Sequence, residues 1–317
     1  MLKDKLQMFL VTYNRKEHLE NTLKQIFSEN SPVKNFDITI LNNNSNDGTD
    51  EVIEEYRKKF PNIEHIKHHV NIGGNPNICR AIELAILKNK EYTWMICDDD
   101  DYDFSSWNKV EEAVNNKKDF IMVSYVQDAD KINKYSLVNE CSFLPAVIYR
   151  TEYFTSTVLQ NAYMNTYHCF PHSAIICSLV NNNHMDYEIV EPLVVIQNWH
   201  RPRRSFVRGI SAKEVHFKQA RTNLLISHIN IYHTIKNKKY RYKCCKYLWL
   251  NKSFLYSCYK VWQQNKNCIE NLADFFWGIS FRQKLIFLIA PLISPVYYRL
   301  KYYLKCLYLF AKTDILK

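Results

Sequence analysis

Through its first 200 residues the chain alternates short apolar segments with amphipathic ones, and this rhythm predicts an α/β fold on a mostly parallel sheet. Two further observations shape the prediction. One apolar segment, Tyr92 to Cys97, runs straight into four consecutive carboxylates, Asp98, Asp99, Asp100 and Asp101. The charge also changes sign along the chain: residues 1–200 hold 19 Lys and Arg against 28 Asp and Glu, net −9, whereas residues 201–317 hold 23 against 4, net +19. The break divides an acidic α/β domain, residues 1–204, from a basic region, residues 205–317, whose pattern is helical. With 47% hydrophobic and 14% aromatic residues in 317, the chain has ample material for a packed core, which excludes a disordered protein.

Gln7 to Thr12 reads as the first strand. Tyr13-Asn14-Arg15 turns into a helix that starts near Lys16 and repeats Leu19, Leu23 and Ile26-Phe27 at helical spacing. Asp37 to Leu41 is the second strand; it ends in Asn42-Asn43-Asn44-Ser45-Asn46-Asp47-Gly48-Thr49, a run of turn and N-cap residues. The next helix carries Val52, Ile53 and Tyr56 and stops at Pro61. Ile63 to His69 gives a third strand, and Asn71-Ile72-Gly73-Gly74-Asn75-Pro76 a loop before a helix over Asn77 to Lys88. Two adjacent glycines among only five in the chain imply backbone that bends sharply or approaches a ligand closely. After Tyr92 to Cys97 come a helix from Trp107 to Asn116, strands at Phe120 to Val126 and Ala146 to Tyr149, a helix from Ala174 to Val180 and a last strand from Tyr187 to Ile196.

Five of the six residues Tyr92 to Cys97 are apolar or aromatic, as in a strand buried on both faces. Ligands of open α/β sheets bind beyond the carboxyl ends of the strands, so the four carboxylates sit where a substrate would. Adjacent like charges repel, and a hard divalent cation that also bridges to phosphate oxygens relieves the repulsion. A solvated acidic turn is the competing reading. The first strand is not followed by GxGxxG, which excludes a dinucleotide-binding dehydrogenase.

Four segments, Thr12-Tyr13-Asn14-Arg15, Leu41 to Thr49, Asn71-Ile72-Gly73-Gly74 and Asp98 to Asp101, resemble in order and spacing the successive motifs of family-2 nucleotide-sugar glycosyltransferases of GT-A fold, the type that builds bacterial surface polysaccharides. The resemblance is good through residue 110 and weaker to residue 200. It implies a donor site formed by Thr12, Tyr13, Asn14, Arg15, Asn42, Asn44, Gly73, Gly74, Asp98 and Asp99, with Thr12 and Tyr13 against the base. Asn42 stands where the family usually has an Asp touching base or ribose, and an amide can hydrogen-bond there without the charge. Asp98 and Asp100 match the DxD pair that holds Mn²⁺ or Mg²⁺, Asp100 being the direct ligand; Asp99 and Asp101 offer the same pair shifted by one. His200, after the last strand, is placed to join the metal or the diphosphate. Arg201, Arg203 and Arg204 either neutralise phosphates or form a solvated basic loop.

The resemblance further implies transfer of a sugar from a nucleoside-diphosphate donor to a hydroxyl of a growing surface polysaccharide or lipid-linked glycan, with inversion. A diphosphate must leave while positive charge builds at the anomeric carbon, and a divalent ion stabilises that leaving group. Family members take their base from a loop entering a late helix; here Tyr167-His168-Cys169-Phe170-Pro171-His172-Ser173 occupies that place, with His172 as the base and His168 one turn away. The alternative role for His172 is to cap the helix or to hydrogen-bond within the fold. Two rival classes remain. A nucleotidyltransferase acting on sugar phosphates would carry a glycine-rich phosphate loop with a basic residue near its first strand, and none is there. A nucleic-acid-binding protein would explain the basic, aromatic end but not the acidic half.

Ten cysteines without a CxxC pair read as reduced thiols in a cytoplasmic protein. Lys3, Asp4 and Lys5 lead directly into a strand, so no signal peptide is expected. The longest nearly apolar run, Leu285 to Val296, has twelve residues and two prolines, too few to span a bilayer. The mixture of Tyr, Trp, Leu and Lys beyond residue 205 suits helices lying on the anionic inner face of a membrane, with Phe287 and Leu288 inserted. The alternative is a helical subdomain whose aromatics form its own core.

Overall fold

A computed structural model of the chain describes residues 2–125, 128–166, 169–195, 224–247 and 281–290, together with Cys258, Trp262, Phe275, Phe276 and Ile279. Seven strands form the main sheet: β1 (Leu6–Thr12), β2 (Asp37–Asn42), β3 (Ile63–Lys67), β4 (Tyr92–Cys97), β6 (Phe120–Met122), β7 (Val147–Arg150) and β8 (Tyr187–Ile189). A two-stranded sheet pairs β5 (Asp101–Tyr102) with β9 (Val194–Val195). The helices are α1 (Leu2–Lys5), α2 (Lys16–Ile26), α3 (Thr49–Lys59), α4 (Gly74–Lys88), α5 (Trp107–Asn115), α6 (Ser136–Glu140), α7 (Ser156–Met164), α8 (Ser173–Asn182), α9 (Leu224–Tyr232) and α10 (Lys238–Tyr247). The main sheet has the order β3-β2-β1-β4-β7-β6-β8. Its first four strands are parallel, β7 runs antiparallel to both neighbours, and β8 is parallel to β6.

The strand period of two sorts the buried residues into two layers. Met8, Leu10, Ile38, Ile40, Trp94 and Ile96 face α2, α3 and α5, where Leu23, Ile53 and Trp107 meet them. Phe9, Leu41 and Met95 face the other way, onto Ile82 of α4, Val158 of α7 and Ile176 of α8. Covered on both faces, the parallel strands carry their C-terminal ends, and with them Thr12, Asn42 and Asp98, to one edge.

Among the departures from the sequence reading, two have local causes. Helix α4 begins three residues early because Pro76 falls in its first turn, where the missing N–H has no intrahelical partner to lose. The single strand expected over Tyr187 to Ile196 is two: β8 follows β6 to residue 189, and β9 pairs with β5 instead. Pro192, which cannot donate to a ladder, lies between them. The strand after Phe120 ends at Met122, and helices α6 and α7 were not anticipated.

The expected boundary near residue 205 lies outside the described residues. Beyond it, α9 packs on α8 and α10 on α6. Ile229, Tyr232, Cys244 and Cys245 belong to the same core as Ile175 and Ile176. In the helical stretch 281–290, Phe287 is 2% exposed, stacked on Trp262 and against Phe275, so it is a core residue and is not free to insert into a membrane. No helix among the described residues is long and apolar enough to cross a membrane.

Candidate donor and metal site

The edge beyond β1 and β2 is a clasp of asparagines. Asn14, at φ +48°, donates its N–H to Ser45 Oγ and accepts from the Asn46 N–H, both at 2.9 Å, tying the β1 turn to the loop after β2. Asp47 accepts the first N–H of α2, Lys16, at 3.0 Å and the first of α3, Thr49, at 3.1 Å; it thus satisfies two orphan helix donors. Asn43 donates to Asn71 and accepts from the Ile72 N–H, fixing the glycine loop to the same edge. Gly73, at φ +89°, makes the bend the sequence predicted, in a region that excludes most side chains. Gly74 has open space on its Cβ side, so the fold alone does not require glycine there. Tyr13 and Asn44 are half-buried on this edge.

Asn42 is 0% exposed and both ends of its amide are engaged within the protein. Its Nδ2 donates to Asp50 Oδ1 at 2.6 Å, and its Oδ1 accepts from the Ser45 N–H at 2.9 Å. The carboxylate of this corner is therefore Asp50, paired in turn with Lys67 and His65. Asp50 was not singled out from sequence; its only signal was a place on the first turn of α3, eight residues past Asn42.

The four carboxylates divide. Asp98 accepts from Thr12 Oγ1 at 2.7 Å and from Arg15 Nη1 at 2.9 Å, so both its oxygens are engaged. Arg15 also lies 2.6 Å from Asp99. Asp101 turns away into β5, accepting from Gln25 of α2 at 3.2 Å. Asp100 is 2% exposed, and its Oδ2 is buried with no hydrogen-bond partner among the described residues. The sulfur of Cys97 and a carboxylate oxygen from each of Asp99 and Asp100 lie within 4.8 Å of one another. Of the expected pair Asp98 and Asp100, the structure thus gathers Asp100 with Asp99 and Cys97, while Asp98 joins Thr12 and Arg15. Cys97 was missed as a candidate because it reads as the last apolar residue of its strand.

Burial pushes Asp100 up to about 8, reinforced by Asp99 and Asp98. Burial also raises Asp98, to about 6, against the pull of Arg15. The Cys97 thiol is pushed well above its usual range by burial and then by the three carboxylates. Burial opposes the charge of Arg15, but Asp98 and Asp99 outweigh it and raise its pKa further. A buried, partly protonated cluster with an orphan oxygen suits a divalent cation, which supplies the missing charge and restores the ionised forms. The residues present therefore fit Mn²⁺ or Mg²⁺.

His172 stands at the N-cap position of α8, where its side chain makes no capping hydrogen bond, and is 3% exposed. Its Nε2 lies 2.9 Å from the Ser142 carbonyl, a contact that requires N–H there and leaves Nδ1, which has no partner among the described residues, as the acceptor. Burial pushes its pKa down to about 4. Two residues earlier Phe170 holds φ +68°, a costly conformation for an aromatic side chain. Asn75 of the glycine loop donates to the Thr166 carbonyl at 3.1 Å, linking this late loop to the edge beyond β1 and β2. The hydrogen bonds and ring contacts of His172 reach Ser142 and Phe170, not the carboxylate cluster. His168, His200, Arg201, Arg203 and Arg204 lie outside the described residues.

Residues 8–190 match the model of the family described as Glycosyl transferase family 2. Among characterised relatives, abequosyltransferase RfbV of Salmonella typhimurium is 37% identical over 91 residues, 28% of this chain and 26% of that protein. Poly(ribitol-phosphate) beta-glucosyltransferase of Bacillus spizizenii is 28% identical over 98 residues, 31% of this chain and 15% of that protein. The matched stretches thus span about a quarter or less of those relatives. The crystal structure of S. aureus TarS 1-349 with UDP superposes with a TM-score of 0.59 at 13% identity, covering 90% of this chain and 87% of that one. Its complex with UDP-GlcNAc gives 0.58 at 15% identity with the same coverage. At such identities the likeness establishes the fold, which is the GT-A arrangement expected from the motifs.

Proposed function

The chain belongs to glycosyl transferase family 2, and from that premise we propose that it transfers a sugar from a nucleoside-diphosphate donor to a hydroxyl of a growing surface polysaccharide or lipid-linked glycan, assisted by Mn²⁺ or Mg²⁺. The observation that carries this reading is the Asp100 carboxylate, buried at the C-terminal end of β4 with an oxygen that no described residue satisfies. Similarity to an abequosyltransferase and to a poly(ribitol-phosphate) beta-glucosyltransferase supports a polymeric acceptor. TarS, a neighbour in fold, binds UDP and UDP-GlcNAc, which makes uracil the first base to test.

In this reading Asp99 and Asp100 hold the cation, and Asp98 is held in place by Thr12. A cation held there would supply charge neutralisation for the departing diphosphate. Arg15 balances Asp98 and Asp99 and stands beside the same phosphates. Thr12, Tyr13 and Asn44 line the nucleotide side, while Gly73 and Gly74 let backbone approach the donor. His172 takes the acceptor proton at Nδ1. Burial holds its pKa down, which keeps the imidazole neutral near pH 7, so that Nδ1 can accept a proton.

The same reading places the protein on an anionic lipid surface. Phe281, Leu285, Leu288 and Ile289 are exposed on the 281–290 helix. At about 100° per residue they share one face, with Arg282 and Lys284 on its two flanks and Phe287 and Ala290 opposite. An apolar row bordered by cations fits a lipid interface, and residues 201–317 add a net +19.

Thermal shift with a panel of nucleoside diphosphates, with and without Mn²⁺, tests the donor site. The matching base should stabilise by about 2.7 kcal/mol at a hundredfold excess over Kd, and more weakly in chelator. A panel in which no base shifts the melting temperature with Mn²⁺ present overturns the reading.

A further inference from the structure

Cys97 stands at the end of β4, one residue before the carboxylates, and its backbone carbonyl is pinned by the Tyr102 hydroxyl at 2.8 Å. Its sulfur and the Asp99 and Asp100 oxygens fit within 4.8 Å. A thiolate binds a divalent ion of zinc size at about 2.3 Å and a carboxylate oxygen at about 2.1 Å, so two such atoms on opposite sides of one ion stand up to ~4.4 Å apart. Three ligands cannot all lie opposite one another, and in a tetrahedral set they stand ~3.6 Å apart, so the cluster closes on one cation with shifts of up to about 1 Å. The orphan, buried oxygen of Asp100 supplies independent reason for a ligand at this point. Asp98, the other expected ligand, is directed to Thr12 and Arg15 and is not among the three residues gathered here.

We propose that Cys97 is a third protein ligand of the cation held by Asp99 and Asp100. The inference rests on the metal reading above and deepens it: one soft sulfur beside two hard oxygens biases the site from Mg²⁺ toward Mn²⁺ and makes it receptive to thiophilic ions such as Co²⁺ and Cd²⁺. On binding, the S–H bond breaks, a sulfur–metal bond forms and the proton passes to solvent or buffer; no electrons are transferred. Of the other described cysteines, only Cys169 is not buried, so it is the one control the assay needs among them.

The test is a Co²⁺ titration of the full chain, followed by calorimetry for binding and by ultraviolet absorbance for thiolate-to-cobalt charge transfer. The wild type should bind Co²⁺ with a charge-transfer band. Cys97→Ser should still bind Co²⁺ but lose the band, and its Cd²⁺ affinity should fall roughly tenfold or more relative to Mg²⁺. Cys169→Ser should keep the band. Cys97→Ala provides a second variant, and circular dichroism confirms that each is folded. A wild type that binds Co²⁺ without the band, or a band that survives in Cys97→Ser, removes Cys97 from the ligand set and leaves the metal reading standing. If Co²⁺, Mn²⁺ and Mg²⁺ all fail to bind the wild type, the metal reading falls and this inference with it.

Discussion

Replacing Asp100 by Asn should make the fold more stable while disabling the site. In the folded chain the carboxyl is 2% exposed and its pKa stands at about 8, against 3.8 for an unstrained Asp. A carboxyl whose folded pKa is raised contributes stability that is fully present below pH 3.8 and lost as the pH climbs through about 8. At about 1.4 kcal/mol per unit, the ionised group would cost on the order of 5 kcal/mol at the alkaline end. Coupling to Asp98 and Asp99, water entry and the need of the new amide for a partner reduce the recoverable part to about 1–3 kcal/mol. Urea unfolding in EDTA should therefore show Asp100→Asn more stable than wild type at pH 8.5, with the gap narrowing at pH 5. Mn²⁺ should stabilise the wild type and leave the variant nearly unmoved, and turnover should fall by several orders of magnitude. A variant no more stable than wild type at pH 8.5 in EDTA, with an equal response to Mn²⁺, would refute the reasoning.

Arg15→Gln removes the cation that balances Asp98 and Asp99. In chelator at pH 8 it should lose about 2–3 kcal/mol in urea melts, the lower end for a buried pair because the guanidinium is partly exposed, and Mn²⁺ should restore a larger share than it adds to wild type. His172, depressed to about 4, contributes stability present above pH 6.5 and lost as the pH falls through about 4, so His172→Gln should flatten that acid limb by about 3 kcal/mol. If Nδ1 is the base, the same variant loses turnover far more than donor affinity. Wild-type chain should float with anionic vesicles and persist in part at high salt; Phe281→Ser with Leu285→Ser should remove the persisting part, and no flotation at low salt would refute the lipid face. Asn42→Asp should destabilise by about 2–4 kcal/mol in urea melts near pH 7, and adding Asp50→Asn should recover most of that loss.

From β1 through α5 the order of elements was legible, the short α1 and β5 apart, because parallel strands buried on both faces write continuous apolar runs, and Pro61 and the Asn42 to Thr49 turn punctuate them. The edge that carries the site was legible for the same reason: Thr12, Asn42 and Asp98 each end a run. The partners of those residues were not. The Asn14 to Ser45 and Asn43 to Asn71 clasps join loops that only the sheet brings together, and turn propensity gives no hint of which amide meets which. Nor could spacing divide the four aspartates, since the division depends on Gln25 and Arg15, 76 and 83 residues away in sequence. Phe287 shows the same limit on the C-terminal helix: composition marks an apolar residue, and only packing on Trp262 separates it from its exposed neighbour Leu288.

The departure at position 42 follows from where the charge lies on the neighbouring helix. Asp50 sits in the first turn of α3, where the helix N-terminus favours a carboxylate, and its Oδ1 is 2.6 Å from the Asn42 amide nitrogen. A second carboxylate in place of the Asn42 amide would be fully buried, would face Asp50 at that distance and would have no N–H to offer it. The two positions are therefore coupled: a chain with Asp50 needs a donor at position 42, and a chain with a carboxylate at position 42 would need a donor at position 50.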